Sequence, residues 1–586
     1  MDYEQSVLVA GSMVAIIILG IGSFIGSFFL IYCFVHFCRE SSSRGKPASH
    51  VTPLPDDFEW ISDKGSIRRL AIAGLGLALT ATGYSQSGAS PNTNRPALAG
   101  PLKPAVPRIF DTGPVKMPDV IEMPAAFGSE QGKLTDYSAG DPLAPDIVPD
   151  KDTGFLARLK EYYLRDWNGT LPNNPTPAKR GLPFPLDSPP FPNADWGYGG
   201  SPDIGAPDEN VYPLMTALRR ANNKTKIYGW IEPGIDFSTS GHTNFPFSYN
   251  IYPNRLELDQ AVVYIERLPN TIQNAHFDWG YHLSAFYGVD TRFTTAKGYF
   301  SQQLLLFNRQ YGFDPVLEYV DLYFPVDQGM DVRFGRFLSV PGIEAQLAPN
   351  NYTYSHSLLY TIDPFTDTGI VGTVKLTDQW LVQLGLSASH DVAFWTSDRA
   401  PSAIACVGYT AKTDSDNYYV CANGINSGKY AYNNLQEYDG TWYHRLNKTT
   451  HIATEAWYMY ERDVPNITGN VANPIKPEIG ANGAFCLPGR LRCTAPEYAA
   501  VNYVEKEITP KLYLSFRSDF LDDKKGQRTG YATKYSENTL MLGKWIGSTV
   551  LFRPEIRFDR SYDLKAYDNG THNNQLIFAS DLIFKF

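Results

Sequence analysis

Between residues 226 and 586 the chain alternates apolar and polar side chains, and this period of two restricts its fold more than any other feature. Near the C-terminus, Phe552, Ile556 and Phe558 alternate with Arg553, Glu555 and Arg557. Successive side chains of a β-strand point to opposite faces, so the pattern predicts strands with one apolar and one polar face. About 16 strands are predicted, within a range of about 14 to 18, at 227–237, 256–267, 276–288, 315–324, 330–339, 365–376, 380–390, 403–410, 417–424, 434–446, 451–461, 498–508, 512–521, 535–546, 549–559 and 575–586.

The connections between the predicted strands alternate in length. Short turns such as 325–329 and 547–548 alternate with long loops such as 340–364 and 462–497. A water-soluble sandwich has no reason to place a long loop at every second connection, whereas an outer-membrane barrel has tight periplasmic turns and long external loops. The predicted fold class is therefore all-β: a transmembrane antiparallel β-barrel, wide enough at this strand number to have a wet interior.

The composition fits a barrel and excludes other classes of protein. Charged residues make up 19% of the chain and aromatic residues 14%, and the net charge is −10. The mean hydropathy of −0.27 excludes a helical membrane protein with many spans. The acidic balance, without a cluster of Lys and Arg, argues against nucleic acid as a partner.

Residues 1–64 are predicted to form an N-terminal transmembrane helix followed by a basic loop. No Asp, Glu, Lys or Arg occurs from position 5 to position 38, and the stretch from Val7 to Phe37 is long enough to cross a bilayer. Acidic residues precede this stretch and basic residues follow it, so the positive-inside rule places the N-terminus outside and the loop in the cytoplasm. Two interpretations are open: an extension upstream of a misplaced start site, or a true membrane anchor.

Three further segments complete the predicted domain organisation. Residues 65–85 have the pattern of a secretory signal peptide, with basic residues before a short apolar core and small residues after it. The proline-rich segment 86–225 is predicted to be an extended periplasmic linker. Within it, 153–166 has apolar residues at helical spacing and predicts a short amphipathic helix, which either packs on the protein or acts as a periplasmic plug or partner-docking helix. The barrel occupies 226–586.

The main domain contains four cysteines. Cys406 and Cys421 lie symmetrically about a predicted turn and therefore face each other across a hairpin, while Cys486 and Cys493 close a small ring in the longest loop. In an exported protein we predict the disulfides 406–421 and 486–493, which would make the loops rigid. No CxxC motif or nearby His accompanies these cysteines, so a metal site is not predicted.

The sequence carries no recognisable catalytic motif. A nucleophile elbow, an HExxH motif, a phosphate-binding loop and a dinucleotide fingerprint are all missing from usable contexts. We therefore predict no catalytic residues, no cofactor and no enzymatic activity, with a barrel protease or lipase as the enzymatic alternative.

Charged residues on the polar faces of the strands are the candidate pore-lining groups. They are Arg333, Arg517, Asp519, Arg553, Glu555, Arg557, Glu437 and Glu455, joined by Glu344 and Asp363 if the loop 340–365 folds inward. One interpretation is that these charges pair with one another and solvate a wet interior. The other is that they form a transverse field that orients solutes at a constriction.

Several long segments are specific enough to indicate a family. They include GWIEPGIDFSTS at 229–240, GIEAQLAPNNYTYSHSLLYTIDPFTDTG at 342–369, FLDDKKGQRTGYATKYSE at 520–537 and FRPEIRFD at 552–559. These segments resemble the putative beta-barrel porin-2 family, described as OmpL-like. The similarity covers roughly residues 150–586 and leaves out residues 1–64. It implies an outer-membrane porin and does not indicate a particular solute.

The predicted function is a water-filled porin channel for passive diffusion of small hydrophilic solutes across the outer membrane of a Gram-negative cell. The alternative is a structural or adhesive barrel that uses its external loops, such as 462–497. The expected partners are outer-membrane lipid, the permeating solutes and the barrel-assembly machinery, which commonly reads a terminal aromatic residue such as Phe586. A homotrimer is a candidate assembly, and the signal peptide predicts export to the outer membrane.

Overall fold

The structure is a computed structural model that describes residues 154–171, 212–221, 223–246, 249–271, 275–301, 310–339, 342–344, 347–377, 379–413, 415–467 and 483–586. Within these ranges, 16 antiparallel strands form one sheet. They are β1 (Lys226–Ser238), β2 (Leu256–Arg267), β3 (Asp278–Gly288), β4 (Gly312–Asp314 and Glu318–Phe324), β5 (Met330–Leu338), β6 (Thr366–Lys375), β7 (Trp380–His390), β8 (Ser402–Thr410), β9 (Asp416–Ile425), β10 (Gln436–Asn447), β11 (Thr450–Pro465), β12 (Arg492–Thr509), β13 (Leu512–Asp523), β14 (Thr533–Ile546), β15 (Val550–Ser561) and β16 (Asn574–Lys585). The predicted segments 1–64 and 65–85, and most of 86–225, lie outside the described residues.

The sheet closes on itself because β1 pairs with both β2 and β16. At the junction of the first and last strands, Gly229 donates its N–H to the carbonyl of Phe586 at 3.2 Å and accepts the N–H of Phe586 at 2.9 Å. Closure gives both edge strands a partner, which satisfies backbone groups that would otherwise be unpaired. The predicted antiparallel barrel of about 16 strands is confirmed.

The predicted apolar faces point outward and the polar faces inward. On β13 and β15, Phe516, Phe552 and Phe558 are exposed on the outside of the sheet, whereas Arg517 and Arg553 are buried inside. An apolar exterior around a polar interior is the arrangement of a barrel that has lipid outside and water or polar chain inside. The composition of the strands, with many aromatic residues but modest hydropathy, follows from this division.

The strand connections separate into two ends of the barrel. The turns 325–329, 376–379, 411–415, 448–449, 510–511 and 547–549 lie at the turn end, where β1 begins and β16 ends. The loops 239–255, 289–311, 339–365 and 466–491 lie at the opposite, loop end. The predicted alternation has one weak point, because the connection 268–277 at the turn end is as long as 426–435 at the loop end.

Strand β4 is interrupted at residues 315–317, which the periodicity did not predict. Phe286 pairs with Asp314 and Leu283 with Glu318, so β4 has one more residue than β3 between these pairs. Pro315 has no N–H to donate, and a bulge is a position where a sheet tolerates proline. Ser284 bridges the bulge by donating its N–H to the carbonyl of Leu317 at 2.9 Å and accepting the N–H of Leu317 on its hydroxyl at 2.8 Å.

Three α-helices accompany the strands in the described residues: α1 (Phe155–Trp167), α2 (Pro213–Ala217) and α3 (Leu358–Ile362). Helix α1 matches the helix predicted at 153–166. Helix α3 lies in the loop between β5 and β6 and is capped at its N-terminus by Ser357, whose hydroxyl accepts the N–H of Tyr360 at 3.0 Å. None of the helices described is long and apolar enough to cross a membrane.

Candidate functional site

The loop between β5 and β6 folds into the barrel over its described residues 342–344 and 347–365, and we call it the inward loop. Apart from one half-buried position, the residues whose burial is described between 342 and 365 are buried. Ile343, Leu358 and Leu359 pack in one apolar cluster with Trp457 of β11 and Tyr503 of β12. A buried loop must find partners for its N–H and carbonyl groups inside the protein. The charged side chains of the barrel wall provide these partners.

Arg553 of β15 binds the inward loop and the wall together. Its Nη1 donates to the carbonyls of Ala348, Asn351 and Thr353 at 3.1, 3.2 and 2.9 Å. Its charge is balanced by Asp581, directly opposite on β16, and by Glu232 of β1 at 3.0 Å. A guanidinium has five donors in a fixed plane, which allows one side chain to bind two carboxylates and several carbonyls at once.

Arg517 of β13 and Arg557 of β15 bind the next part of the inward loop. Arg517 donates to the carbonyl of Ser355 at 2.5 Å and is paired with Glu537 of β14 at 3.0 Å. Arg557 donates to the carbonyl of His356 at 2.5 Å and is paired with Asp559 at 2.9 Å. The three arginines therefore bind carbonyls along residues 348–356.

Wall carboxylates bind the N–H groups of the same loop. Glu555 accepts the N–H groups of Tyr354 and Ser355, both at 3.1 Å. Asp519 accepts the N–H of Leu358 at 2.9 Å, and Glu455 accepts the N–H of Ile343 at 2.6 Å. Cationic side chains of the wall thus bind carbonyls of the loop, and anionic side chains of the wall bind its N–H groups.

Two acidic residues of the inward loop have different surroundings. Glu344 lies 3.7 Å from Arg517 and accepts hydrogen bonds from Tyr503 and Ser357. Burial raises the pKa of Glu344, although Arg517 and these hydrogen bonds act in the opposite direction. Asp363 instead lies among acids: burial, followed by Glu437 and other wall carboxylates, raises its pKa well above the ordinary value. Glu344 is therefore held near the arginines, and Asp363 near the acidic wall.

The structure brings most of the predicted pore-lining residues together, but not all of them. Those that contact the inward loop are Arg517, Asp519, Arg553, Glu555, Arg557 and Glu455. Glu437 lies beside Asn423, whose Nδ2 donates to it at 3.2 Å. Arg333 is paired with Asp321 of β4 at 2.8 Å. All eight wall residues are buried, and their role in lining the pore stays a prediction.

The wall carboxylates that balance the arginines were not among the predicted pore-lining residues. They are Glu232, Asp321, Glu537, Asp559 and Asp581. Each lies on the polar face of a strand, so periodicity already placed it inside the barrel. The register of neighbouring strands would have indicated Asp581, because this residue lies opposite Arg553 on the adjacent strand. Cross-strand neighbours of opposite charge stabilise a sheet, and aligning adjacent strands would have indicated the pair.

Both predicted disulfides are present. Cys406 of β8 and Cys421 of β9 are joined across the hairpin, where they lie directly opposite each other. Cys486 and Cys493 are joined at the tip of the long hairpin formed by β11 and β12. The first bridge lies within the strands, facing the interior, rather than in a loop as its predicted role suggests. Groups of His, Cys, Asp and Glu arranged to hold a metal are absent from the described part of the chain.

Comparison with known proteins places the barrel in a family. A family model described as putative beta-barrel porin-2, OmpL-like, matches residues 224–586. Among solved structures, the anion-selective porin from Comamonas acidovorans is 9% identical with a TM-score of 0.40, covering 62% of this chain and 99% of that chain. The outer membrane channel DcaP of Acinetobacter baumannii is 11% identical with a TM-score of 0.40, covering 62% and 97%. No curated protein sequence gives a significant match.

Proposed function

The chain belongs to the putative beta-barrel porin-2, OmpL-like family, and from this premise we propose that the inward loop forms the constriction of its channel. The family and the closed barrel support an outer-membrane channel for passive diffusion of solutes, and they imply a channel rather than an enzyme. The observation that carries the proposal is the position of the inward loop, which is bound by charged side chains from β11, β13 and β15. A loop held across the lumen reduces the area open to solutes.

The permeating solutes we propose are small and hydrophilic. The interior of the barrel is lined by charged and hydroxyl side chains, and solutes pass such surfaces without losing hydrogen bonds. Among the predicted pore-lining groups, Arg517, Arg553 and Arg557 would fix the loop. Asp363 and the wall carboxyls beside it, Glu437 and Glu455, would form an acidic side of the interior. These groups are the predicted opposite halves of a transverse field.

The test is electrical recording of the purified protein in planar bilayers. Stable open steps are expected, and liposome swelling should be faster with small sugars and amino acids than with larger ones. The double variant Arg553→Glu/Arg557→Glu should shift ion selectivity toward cations, because it replaces two positive charges with negative ones. Unchanged selectivity would count against a field at the constriction.

A structural or adhesive barrel is the second candidate function. The hairpin of β11 and β12 favours it, because these strands reach Pro465 and Arg492, well beyond the predicted ends at 461 and 498, and the tip is closed by a disulfide. A rigid, exposed tip is suited to recognition of a surface partner. A folded protein that gives no open steps in bilayers would support this candidate over the channel.

Export and assembly complete the proposal. The signal segment 65–85 would direct export, and the barrel-assembly machinery would read Phe586, which pairs with Gly229 at the closing strands. The outward apolar faces would contact outer-membrane lipid, and three copies would form a homotrimer. N-terminal sequencing of protein from outer membranes tests the first step, since a start between residues 84 and 90 is expected and a start at Met1 would contradict it. Mass determination in detergent tests the trimer.

A further inference from the structure

Helix α1 is docked at the turn end of the barrel through Asp166, a side chain outside the proposed channel. Asp166 accepts the N–H and hydroxyl of Ser548, at 2.9 and 2.8 Å, and the N–H and hydroxyl of Thr549, at 3.2 and 2.7 Å. Gly547 of the same turn has a φ of +62°, and a Cβ atom there would lie 2.1 Å from Asp166. The turn and the helix are therefore fitted to each other.

The docked helix is joined to the outer face of the barrel by aromatic side chains. The ring of Tyr163 lies 4.8 Å from that of Phe584 and 5.6 Å from that of Trp167. Phe584 is on the outward face of β16, since its alternating neighbours Phe578 and Leu582 are exposed there. Aromatic contact therefore runs without a break from the lipid-facing surface onto the helix.

The outward face of the barrel is covered where the helix docks. Val550 is opposite Phe584 in the register and outward by alternation, yet it is only 6% exposed, whereas Phe552, two residues further along β15, is 43% exposed. Trp167 donates its Nε1–H to the hydroxyl of Thr549, the residue before Val550, at 3.1 Å. Helix α1 thus lies at the rim and overlaps the outer surface.

One face of α1 is apolar but exposed. Leu156, Leu164 and Trp167 are 76%, 46% and 41% exposed, and Lys160 is exposed between them at helical spacing. Apolar residues on one side of a helix, with a Trp and a Lys, are typical of helices that lie in the headgroup region of a membrane. The Lys stem can cover apolar surface while its ammonium reaches phosphate.

The position of α1 along the barrel axis agrees with a place in the headgroup region. At the same end of the barrel, Lys544 and Ile546 are both exposed on the outward face of β14, just before the turn 547–549. A cation beside an apolar residue on the outer face indicates the boundary between acyl chains and headgroups. In outer-membrane barrels the turn end faces the periplasm.

We propose that α1 is an interfacial helix that inserts Leu156, Leu164 and Trp167 into the periplasm-facing leaflet of the outer membrane. The occupant of the exposed face is phospholipid, because the face continues the lipid-facing surface of the barrel through Tyr163 and Phe584. The helix then anchors the chain that precedes it at the membrane, beside the closing strands. This inference rests on the location of the barrel in the outer membrane and not on conduction.

Fluorescence quenching in bilayers tests the inference. The full chain carries Leu164→Cys in a background of Cys33→Ser and Cys38→Ser, is labelled with the fluorophore NBD, and is reconstituted at low density into vesicles of phosphatidylethanolamine and phosphatidylglycerol. Labels at Leu542→Cys, on the lipid-facing side of β14, and at Arg490→Cys, on the exposed hairpin tip, calibrate the lipid and water extremes. We expect quenching by a shallow doxyl lipid to be at least about twofold stronger at 164 than at 490.

Two other results would overturn the inference. Strong quenching at 164 by aqueous iodide, as at 490, would place the face in water. Protection from both quenchers would show that protein covers the face. In a second variant, Asp166→Ala with the label at 164, loss of the acceptor for Ser548 and Thr549 should reduce lipid quenching, and quenching equal to that of the parent would show that docking does not position the helix.

Discussion

At the scale of single residues, the barrel interior shows why buried charge is compatible with a stable fold. Arg517, Arg553 and Arg557 are fully buried, and each contacts both a carboxylate and a loop carbonyl. Removing one partner from such a group leaves a buried charge unpaired, which costs about 3–5 kcal/mol. The same contacts that balance the charge also fix the inward loop, so stability and channel geometry depend on the same side chains.

The first prediction concerns Arg517→Met, which keeps much of the side-chain volume but removes the donors to Ser355. We expect a loss of about 3–5 kcal/mol of stability, because Glu537 loses its nearest cation and keeps only Arg557, at 4.0 Å. We also expect larger and noisier conductance as the loop loosens. The measurements are unfolding in denaturant and single-channel recording.

The matched control is Arg333→Met. Arg333 is equally buried, pairs with Asp321 and stacks on Tyr319, both on β4. The Arg333→Met variant should be destabilised to a similar extent as Arg517→Met, but its conductance should equal that of the natural protein. If both variants alter conductance to the same degree, the effect belongs to general destabilisation and not to the inward loop.

The second prediction concerns pH and Asp568, in the loop between β15 and β16. Burial raises the pKa of this carboxyl, but the N–H groups of His242, Gly241 and Thr243 outweigh burial and hold the pKa below its ordinary value. Asp568 therefore stabilises the contact between its own loop and the loop 239–255. This contribution is fully present at pH values above the ordinary carboxyl pKa of 3.8, and it is lost as the pH falls through the lowered pKa.

Asp568→Asn provides the measurement. The difference in unfolding free energy between the natural protein and this variant should shrink as the pH falls from about 5 into the acid range. A difference that grows over this interval would contradict the sign of the pKa shift.

At the scale of elements, the strands follow the sequence closely and the exceptions have physical causes. The bulge in β4 depends on Pro315 and on Ser284, which lies on another strand. Strands β11 and β12 continue beyond the predicted ends because they pair with each other as far as Pro465 and Arg492. Outside the membrane both faces of a hairpin can meet water, so the alternation of apolar and polar residues no longer marks the strand.

The third prediction concerns the tip of this hairpin. In Cys486→Ser/Cys493→Ser, the ring is open, and loss of the closure removes about 2 kcal/mol of local stabilisation. Trypsin should then cleave after Arg490 faster than in the natural protein, with the heat-dependent gel mobility of the barrel unchanged.

The control for the tip is Cys406→Ser/Cys421→Ser, which opens the disulfide between β8 and β9 and should leave the cleavage rate after Arg490 unaltered. An unchanged rate in the tip variant would mean that hydrogen bonds hold the tip without the disulfide. Asn466 offers such bonds, since it donates its N–H to the carbonyl of Leu491 at 3.0 Å.

At the scale of the whole molecule, closure of the barrel depends on the two ends of the sheet. The last strand pairs with β15 on one side and with β1 on the other, so it completes the hydrogen bonding of the sheet. A closed sheet is the condition for a β-structure to exist in lipid, because unpaired backbone groups there are costly.

The fourth prediction is that deletion of Phe586 lowers the amount of protein assembled in the outer membrane several-fold, because the assembly machinery loses its terminal aromatic residue. The protein refolded in detergent should keep its heat-dependent mobility, since a single pair of backbone bonds with Gly229 is lost at the end of the sheet. Phe586→Trp is the control and should assemble normally. Equal assembly of the deletion variant would contradict a role for Phe586 as a signal.

The sequence by itself determined the barrel, the faces of its strands, the two disulfides and the short helix near residue 160. These features depend on local spacing: a period of two, a helical period, and cysteines symmetric about a turn. The same alternation placed Arg517, Arg553 and Arg557 on the inner wall, and the family resemblance came from long local segments.

Only the tertiary structure decided what those inner side chains touch. Glu555 binds the N–H of Tyr354, and Arg553 binds the carbonyl of Thr353, across about two hundred positions of sequence. Such contacts depend on the path of the inward loop across the lumen and on the register that sets Asp581 opposite Arg553. Periodicity predicts which face of the sheet a side chain occupies. It does not predict the partner on that face, which depends on three-dimensional packing, because residues distant in the chain compete for the same buried hydrogen bonds.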